Sequence, residues 1–224
     1  MTKTVLLASA AILVMGGAAS AATHPGTVAH VQAHHIVSGV APGSTTLYDQ
    51  NGNDNGVGLV SQNFESSFDA YDAQAADDFK VPSGHKWKVK EVDVTGVYFN
   101  GYGPARDVNV FVYKNKGGLP SGDPKAECDN APIAQDNGGS FVIKIPKSCK
   151  ISLKAGTYWL SVQANLDFGA GGEWGWEGSS VQTGSAYAWQ NPGGGFGLCT
   201  TWGTECLGYG PDFMFALKGK DATL

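Results

Sequence analysis

The sequence predicts an all-β protein, an antiparallel β-sandwich in a single domain. Three observations carry this reading. Short runs rich in Val, Ile, Tyr, Phe and Trp alternate apolar and polar residues. Turn-forming clusters separate those runs at intervals of about ten residues. Helix-period patterning is almost absent, while the chain holds 32 glycines. Neither an internal repeat nor a linker interrupts residues 44–224, so one domain takes them all.

Taken in order, the chain opens MTKTVLLASAAILVMGGAASAA. Lys3 is a short positive region, Val5 to Met15 is apolar but too short to span a bilayer, and Ala19-Ser20-Ala21 offers small residues for cleavage. Residues 1–21 therefore read as a secretory signal peptide. Residues 22–43 are small and weakly patterned, and are expected to form a flexible lead-in. Ser44 to Leu47 is a short strand, DQNGNDNG at 49–56 a dense turn, and Val57 to Val60 a second strand. The glycine-free stretch from Ser61 to Pro82 spaces Phe64, Phe68, Tyr71 and Phe79 as a helix would. Its many Ser, Asn and Asp residues oppose a helix interior, so an irregular crossing that ends in a strand at 75–81 is expected.

The run KWKVKEVDVTGVYFN at 86–100 alternates imperfectly. Trp87, Val89, Glu91 and Asp93 share one face, and Lys88, Lys90, Val92 and Val94 the other. Val108, Val110 and Val112 alternate with Asn109, Phe111 and Tyr113, apolar on both faces and so central. Phe141 to Ile145, Ile151 to Leu153 and Thr157 to Asn165 are further strands. Glu173 to Trp176 and Ala186 to Gln190 are shorter candidates, and Phe213 to Leu217 closes the sheet.

Cys128, Cys149, Cys199 and Cys206 are an even set in a chain read as exported, which points to disulfides. Three pairings are open. Cys128–Cys149 with Cys199–Cys206 is favoured because each closes one local excursion. The formal charge of −5 becomes −6 without Lys3, which opposes nucleic acid or an anionic membrane as the main partner. After the leader, no apolar run is long enough for a membrane helix. The expectation is a secreted monomer, extracellular or periplasmic, with a glycan or protein ligand.

The segments SQNFE, DAYDAQAADDFKVP, VDVTGVYFNGYGPARDVNVFVYKNKGGLPSG, GTYWLSVQAN and WQNPGGGFG, with CTTWGTEC after them, resemble a β-sandwich module of secreted bacterial proteins. The AADDF, V-x-V and VxVFxY runs are also similar to galactose-binding-like jelly rolls. The resemblance spans about residues 44–218. It implies a jelly-roll-like sandwich and transfers no catalytic residue.

Four constellations can carry chemistry. Trp174, Trp176, Tyr187, Trp189 and Trp202, with Glu173 and Asn191, lie in a glycine-rich third of the chain. Flat aromatics beside amides and carboxylates suit the apolar C–H faces of sugars. Such residues equally fill a sandwich core. Asp69, Asp72, Asp77 and Asp78 offer oxygen ligands for Ca2+, or cap turns without any metal. Asp49, Asn51, Asn53, Asp54 and Asn55 suit a calcium loop, but Asp54 and Val60 occupy the positions where an EF-hand needs Gly and Glu. His24, His30, His34 and His35 gather in the lead-in, leaving His85 as the one histidine beyond it. The leading function is a carbohydrate-binding module, the alternatives being a structural or interaction protein and a hydrolase. For the last, Glu173 and Glu177 sit four strand residues apart, about 13 Å. Paired glycosidase carboxylates need about 5–9.5 Å. Neither G-x-S-x-G nor HExxH occurs.

Overall fold

The computed structural model describes residues 22–35, 39–204 and 206–223. The signal peptide expected at residues 1–21 lies outside them. Short strands β1 (Val28–Ala29), β2 (Thr45–Asp49), β3 (Asp54–Val60) and β4 (Gln62–Asn63) come first. A 3-10 turn at Ser66–Tyr71 leads into the long β5 (Gln74–Val94) and β6 (Gly96–Phe99). The middle of the chain forms β7 (Asp107–Lys116), β8 (Leu119–Ala131), β9 (Ile133–Asn137), β10 (Ser140–Lys144) and β11 (Ser152–Asn165). A one-turn helix, α1 (Phe168–Gly171), precedes β12 (Glu173–Ser179). The fold ends with β13 (Ala188–Gln190), β14 (Gly203–Thr204), β15 (Asp212–Phe213) and β16 (Phe215–Thr223).

The strands make two sheets. The smaller runs β1-β3-β12-β15 with β6 on β12; the larger runs β14-β13-β5-β11-β7-β8 and also holds β2, β4, β9, β10 and β16. Pairing is antiparallel except between β4 and β11. The all-β, antiparallel expectation is met.

The core lies between the sheets, and indoles dominate it. Trp174 stacks on Phe141 of β10 at 5.1 Å, and Trp176 on Phe213 at 5.0 Å. A buried indole needs an acceptor for its N–H. Trp174 Nε1 donates to the Gly139 carbonyl (2.7 Å), Trp176 Nε1 to that of Met214 (2.9 Å) and Trp189 Nε1 to that of Val60 (2.8 Å). Gly96 has to be glycine here: a Cβ would sit 2.6 Å from Trp174 Nε1.

Two local expectations change. The lead-in is tied down rather than flexible at 25–29: Pro25 is buried, Val28 pairs with Leu59, and Val60 N–H donates to the Thr27 carbonyl. The edge of β3 has free backbone groups there, and this segment satisfies them. The strand expected at 75–81 and the start of the run at 86–100 form one strand, β5, which residues 82–85 do not break. Residues 82–85 are an insertion within it, opposite Lys154–Gly156 of β11. The crossing from Ser61 is irregular as expected, and its aspartates tie turns: Asp72 Oδ1 accepts Phe64 N–H at 2.8 Å.

Candidate functional site

The aromatic platform expected on the surface is core. Trp174, Trp176 and Trp189 are 0% exposed and Tyr187 1%. Alternation along β12 turns Trp174 and Trp176 inward, where the two sheets close on them. Glu173 and Asn191 are buried too, and serve as clamps. Glu173 accepts Gly26 N–H and Asn100 Nδ2, both at 2.7 Å. Asn191 Nδ2 donates to the carbonyls of Ala70 and Asp72, both at 2.8 Å, and its Oδ1 accepts Phe196 N–H. Trp202 alone stays half-buried, edge-on to Tyr113 at 5.5 Å.

Asp72, Asp77 and Asp78 take the capping role open to the acidic set, and no group of three or more metal-ligating side chains occurs among the described residues. Asp77 accepts Gln50 Nε2 and the amides of Phe213 and Asp78; Asp78 accepts Ser185 N–H. In the 49–56 turn, Asp49, Asp54 and Asn55 each accept the amide two residues on, which makes them Asx turns.

Both glutamates of β12 are perturbed. Burial pushes Glu173 up to about 7 against the pull of its two donors. Burial, then the hydrogen bond and the charge of the Asp54 carboxylate beside it, push Glu177 up to about 9. The folded state thus holds more protons than the unfolded one between about pH 4.5 and 9, so these groups cost stability as pH rises through that window. Glu177→Gln is expected to raise the melting temperature at pH 8 by at least about 2 °C and to flatten its fall from pH 5 to 8. Thermal melts across that range check this; an unchanged slope refutes it.

A cavity lies elsewhere. It is an open groove of about 720 Å³ where the bulged middle of β5, the 145–151 turn, β16 and residues 41–44 meet. Six lysines line it: Lys88, Lys90, Lys144, Lys147, Lys150 and Lys218. Val89, Ile145, Pro146 and Ile151 give it an apolar floor, and Glu91 is its one carboxylate.

A bulge builds this groove. Glu91 pairs with Lys218 and Val89 with Gly219, which leaves Lys90 without a partner on β16. Gly219 permits the approach, since a Cβ there would lie 2.0 Å from the Lys88 carbonyl oxygen. The 145–151 turn is pinned to β5 at both ends: Ile145 N–H donates to the Lys90 carbonyl, and Val89 N–H to that of Ile151. The Cys128–Cys149 disulfide ties the same turn to β8, and Cys199–Cys206 closes the other local loop. No protein-family model, curated protein or solved structure matches the chain. What the groove can do is therefore read from its own chemistry.

Its charges fall into two groups. Glu91 accepts Lys144 Nζ on one oxygen and Lys218 Nζ (3.4 Å) on the other, and Asp93 accepts Lys218 Nζ at 2.6 Å. Lys88, Lys90, Lys147 and Lys150 are exposed and have no ion pair among the described residues. Four free ammonium groups around an apolar floor attract an anion that carries an apolar body. KWKVK and KIPKSCK hold the sequence signal for this site, two lysine-rich stretches nearly sixty residues apart. Only the register of β5 against its neighbours joins them.

Proposed function

We propose that this chain is an exported binding protein that holds an anionic ligand in the lysine groove. The carrying observation is the gathering of six of its 14 lysines around one cavity, in a protein whose net charge is negative. The volume falls within the range of ordinary ligand sites, about 300–1,000 Å³. Two disulfides fit an oxidising compartment, as does the leader read from the sequence. Among the described residues, no helix is long and apolar enough to cross a membrane.

The test uses an anionic probe with an apolar body, 8-anilinonaphthalene-1-sulfonate. Fluorescence titration should show saturable binding that weakens with salt. Lys88→Glu and Lys150→Glu should each weaken it about tenfold, and Lys125→Glu, on an exposed stretch of β8 outside the groove, should not. Absence of saturation, or equal weakening by Lys125→Glu, would sink the reading. Burial of five of the six tryptophans favours a second reading, an interaction protein of the envelope or matrix without a small ligand. It predicts no saturation with any such probe.

A further inference from the structure

The lysines do not stop at the groove. Beyond the bulge, Lys86 and Lys88 of β5 turn outward while Trp87 and Val89 fill the core. Cross-strand partners in an antiparallel pair point to the same face. Lys88 is directly opposite Lys220 of β16, and Lys86 directly opposite Lys154 of β11. Two like-charged pairs, with Cβ atoms about 5 Å apart, destabilise a sheet, and chance placement seldom leaves them side by side. Lys220 and Lys154 are exposed, and none of these four lysines has an ion pair among the described residues. With the six of the groove, of which Lys218 is buried against Asp93, they place nine of the chain's 14 lysines in the groove or on the strands beside it. Along β5 alone, Lys86 to Lys90 covers about 13 Å.

We infer that the groove is one end of a track for a linear acidic polysaccharide, with carboxylate groups repeating along the chain. This inference rests on the anion-binding reading of the groove. A row of separated charges fits a repeating polyanion better than one compact anion, which four ammonium groups already satisfy. Lysine meets such groups as a point charge and demands no fixed bidentate geometry. Nucleic acid is the poorer fit. No aromatic side chain lines the groove for bases to stack on, and the chain's one arginine, Arg106, is not among the lining residues. Sugar C–H faces, by contrast, can lie on Val89, Ile145, Pro146 and Ile151.

The experiment measures binding of galacturonic acid and of its four- and twelve-residue oligomers to the full mature chain. The dodecamer is expected to bind at least about 100-fold more tightly than the monomer, and its affinity to fall steeply with salt. Lys86→Ala/Lys154→Ala should weaken the dodecamer about tenfold and lower its log–log salt slope by about two, one per lysine removed. The same variant should leave anilinonaphthalene sulfonate binding in the groove unchanged, with an unaltered melting profile showing that the fold is intact. A dodecamer no tighter than the monomer, with the dye still bound, overturns the track and leaves the groove. Loss of dye binding and oligomer binding together overturns both. A DNA duplex of matched charge that binds more tightly than the dodecamer overturns the choice of polysaccharide.

Discussion

Trp176→Ala is expected to lower the free energy of unfolding by about 3–5 kcal/mol, the range for removing a large aromatic from a closed core. The indole is fully buried, stacks on Phe213 at 5.0 Å, meets Phe215 edge-on at 6.0 Å and lies 6.5 Å from Trp174. Three losses add. The transfer energy of the ring goes, a cavity opens between the sheets, and the Met214 carbonyl loses its Nε1 donor. Trp202→Ala, at a half-buried position on the edge of a small cluster, should cost under about 1.5 kcal/mol. Chemical denaturation of both variants measures the contrast through the shift of the midpoint at constant slope. Equal costs would show that the two tryptophans do not differ in burial. The same contrast separates a core from a ligand platform: truncating a surface aromatic removes ligand affinity and leaves the midpoint almost in place.

The two kinds of tryptophan look alike in the sequence, and the reason is physical. Alternation in Glu173-Trp174-Gly175-Trp176-Glu177 tells that the indoles share a face, and they do. It does not tell whether that face meets the second sheet or the solvent, because burial is decided by Phe141 and Phe213, distant in the chain. The strong strands were legible for the opposite reason. Val108 to Tyr113 is apolar on both faces, which suits a central position, Thr157 to Asn165 carries a clean apolar face in Tyr158, Leu160, Val162 and Ala164, and the two pair with each other in the larger sheet. Both disulfides follow the favoured pairing, since each joins cysteines within one local excursion.

The imperfect alternation of KWKVKEVDV is the legible trace of the groove. A single extra residue at Lys90 reverses the faces. Trp87 and Val89 point inward before it, Val92 and Val94 after it, and Glu91 and Asp93 turn to the face of Lys88. Net charge concealed the rest. A total of −5 is an average over a surface, and it says nothing about nine lysines in one groove or on the strands beside it. Field at a binding site is set by charges within about one Debye length, roughly 8–10 Å, so the local count governs recognition.

Removing the Cys128–Cys149 disulfide, as Cys128→Ala/Cys149→Ala, is expected to cost about 3 kcal/mol and to loosen the groove in the same step. The bridge spans 21 residues, and a loop of that length restricts the unfolded chain by about that amount on the chain-entropy account. Cys199–Cys206 spans 7, so its removal should cost less, about 2.5 kcal/mol on the same account. The two differ more in what they hold. Cys149 sits in the turn that carries Lys147 and Lys150 and lines the groove, and Cys128 is buried in β8 with 1% exposure. Without the bridge, the turn keeps its backbone hydrogen bonds, to Lys90 and Val89 at its ends and from Cys149 N–H to the Pro146 carbonyl within it, but loses its covalent tie to β8, and two of the four free ammonium groups lose their fixed positions. Anilinonaphthalene sulfonate should then bind several-fold more weakly to the Cys128/Cys149 variant, while the Cys199/Cys206 variant keeps its affinity. Denaturation and dye titration on the same samples read both effects. A larger stability loss from the shorter loop would contradict the entropic ranking. Unchanged dye affinity in the Cys128/Cys149 variant would show that the turn's lysines do not need the bridge to be placed.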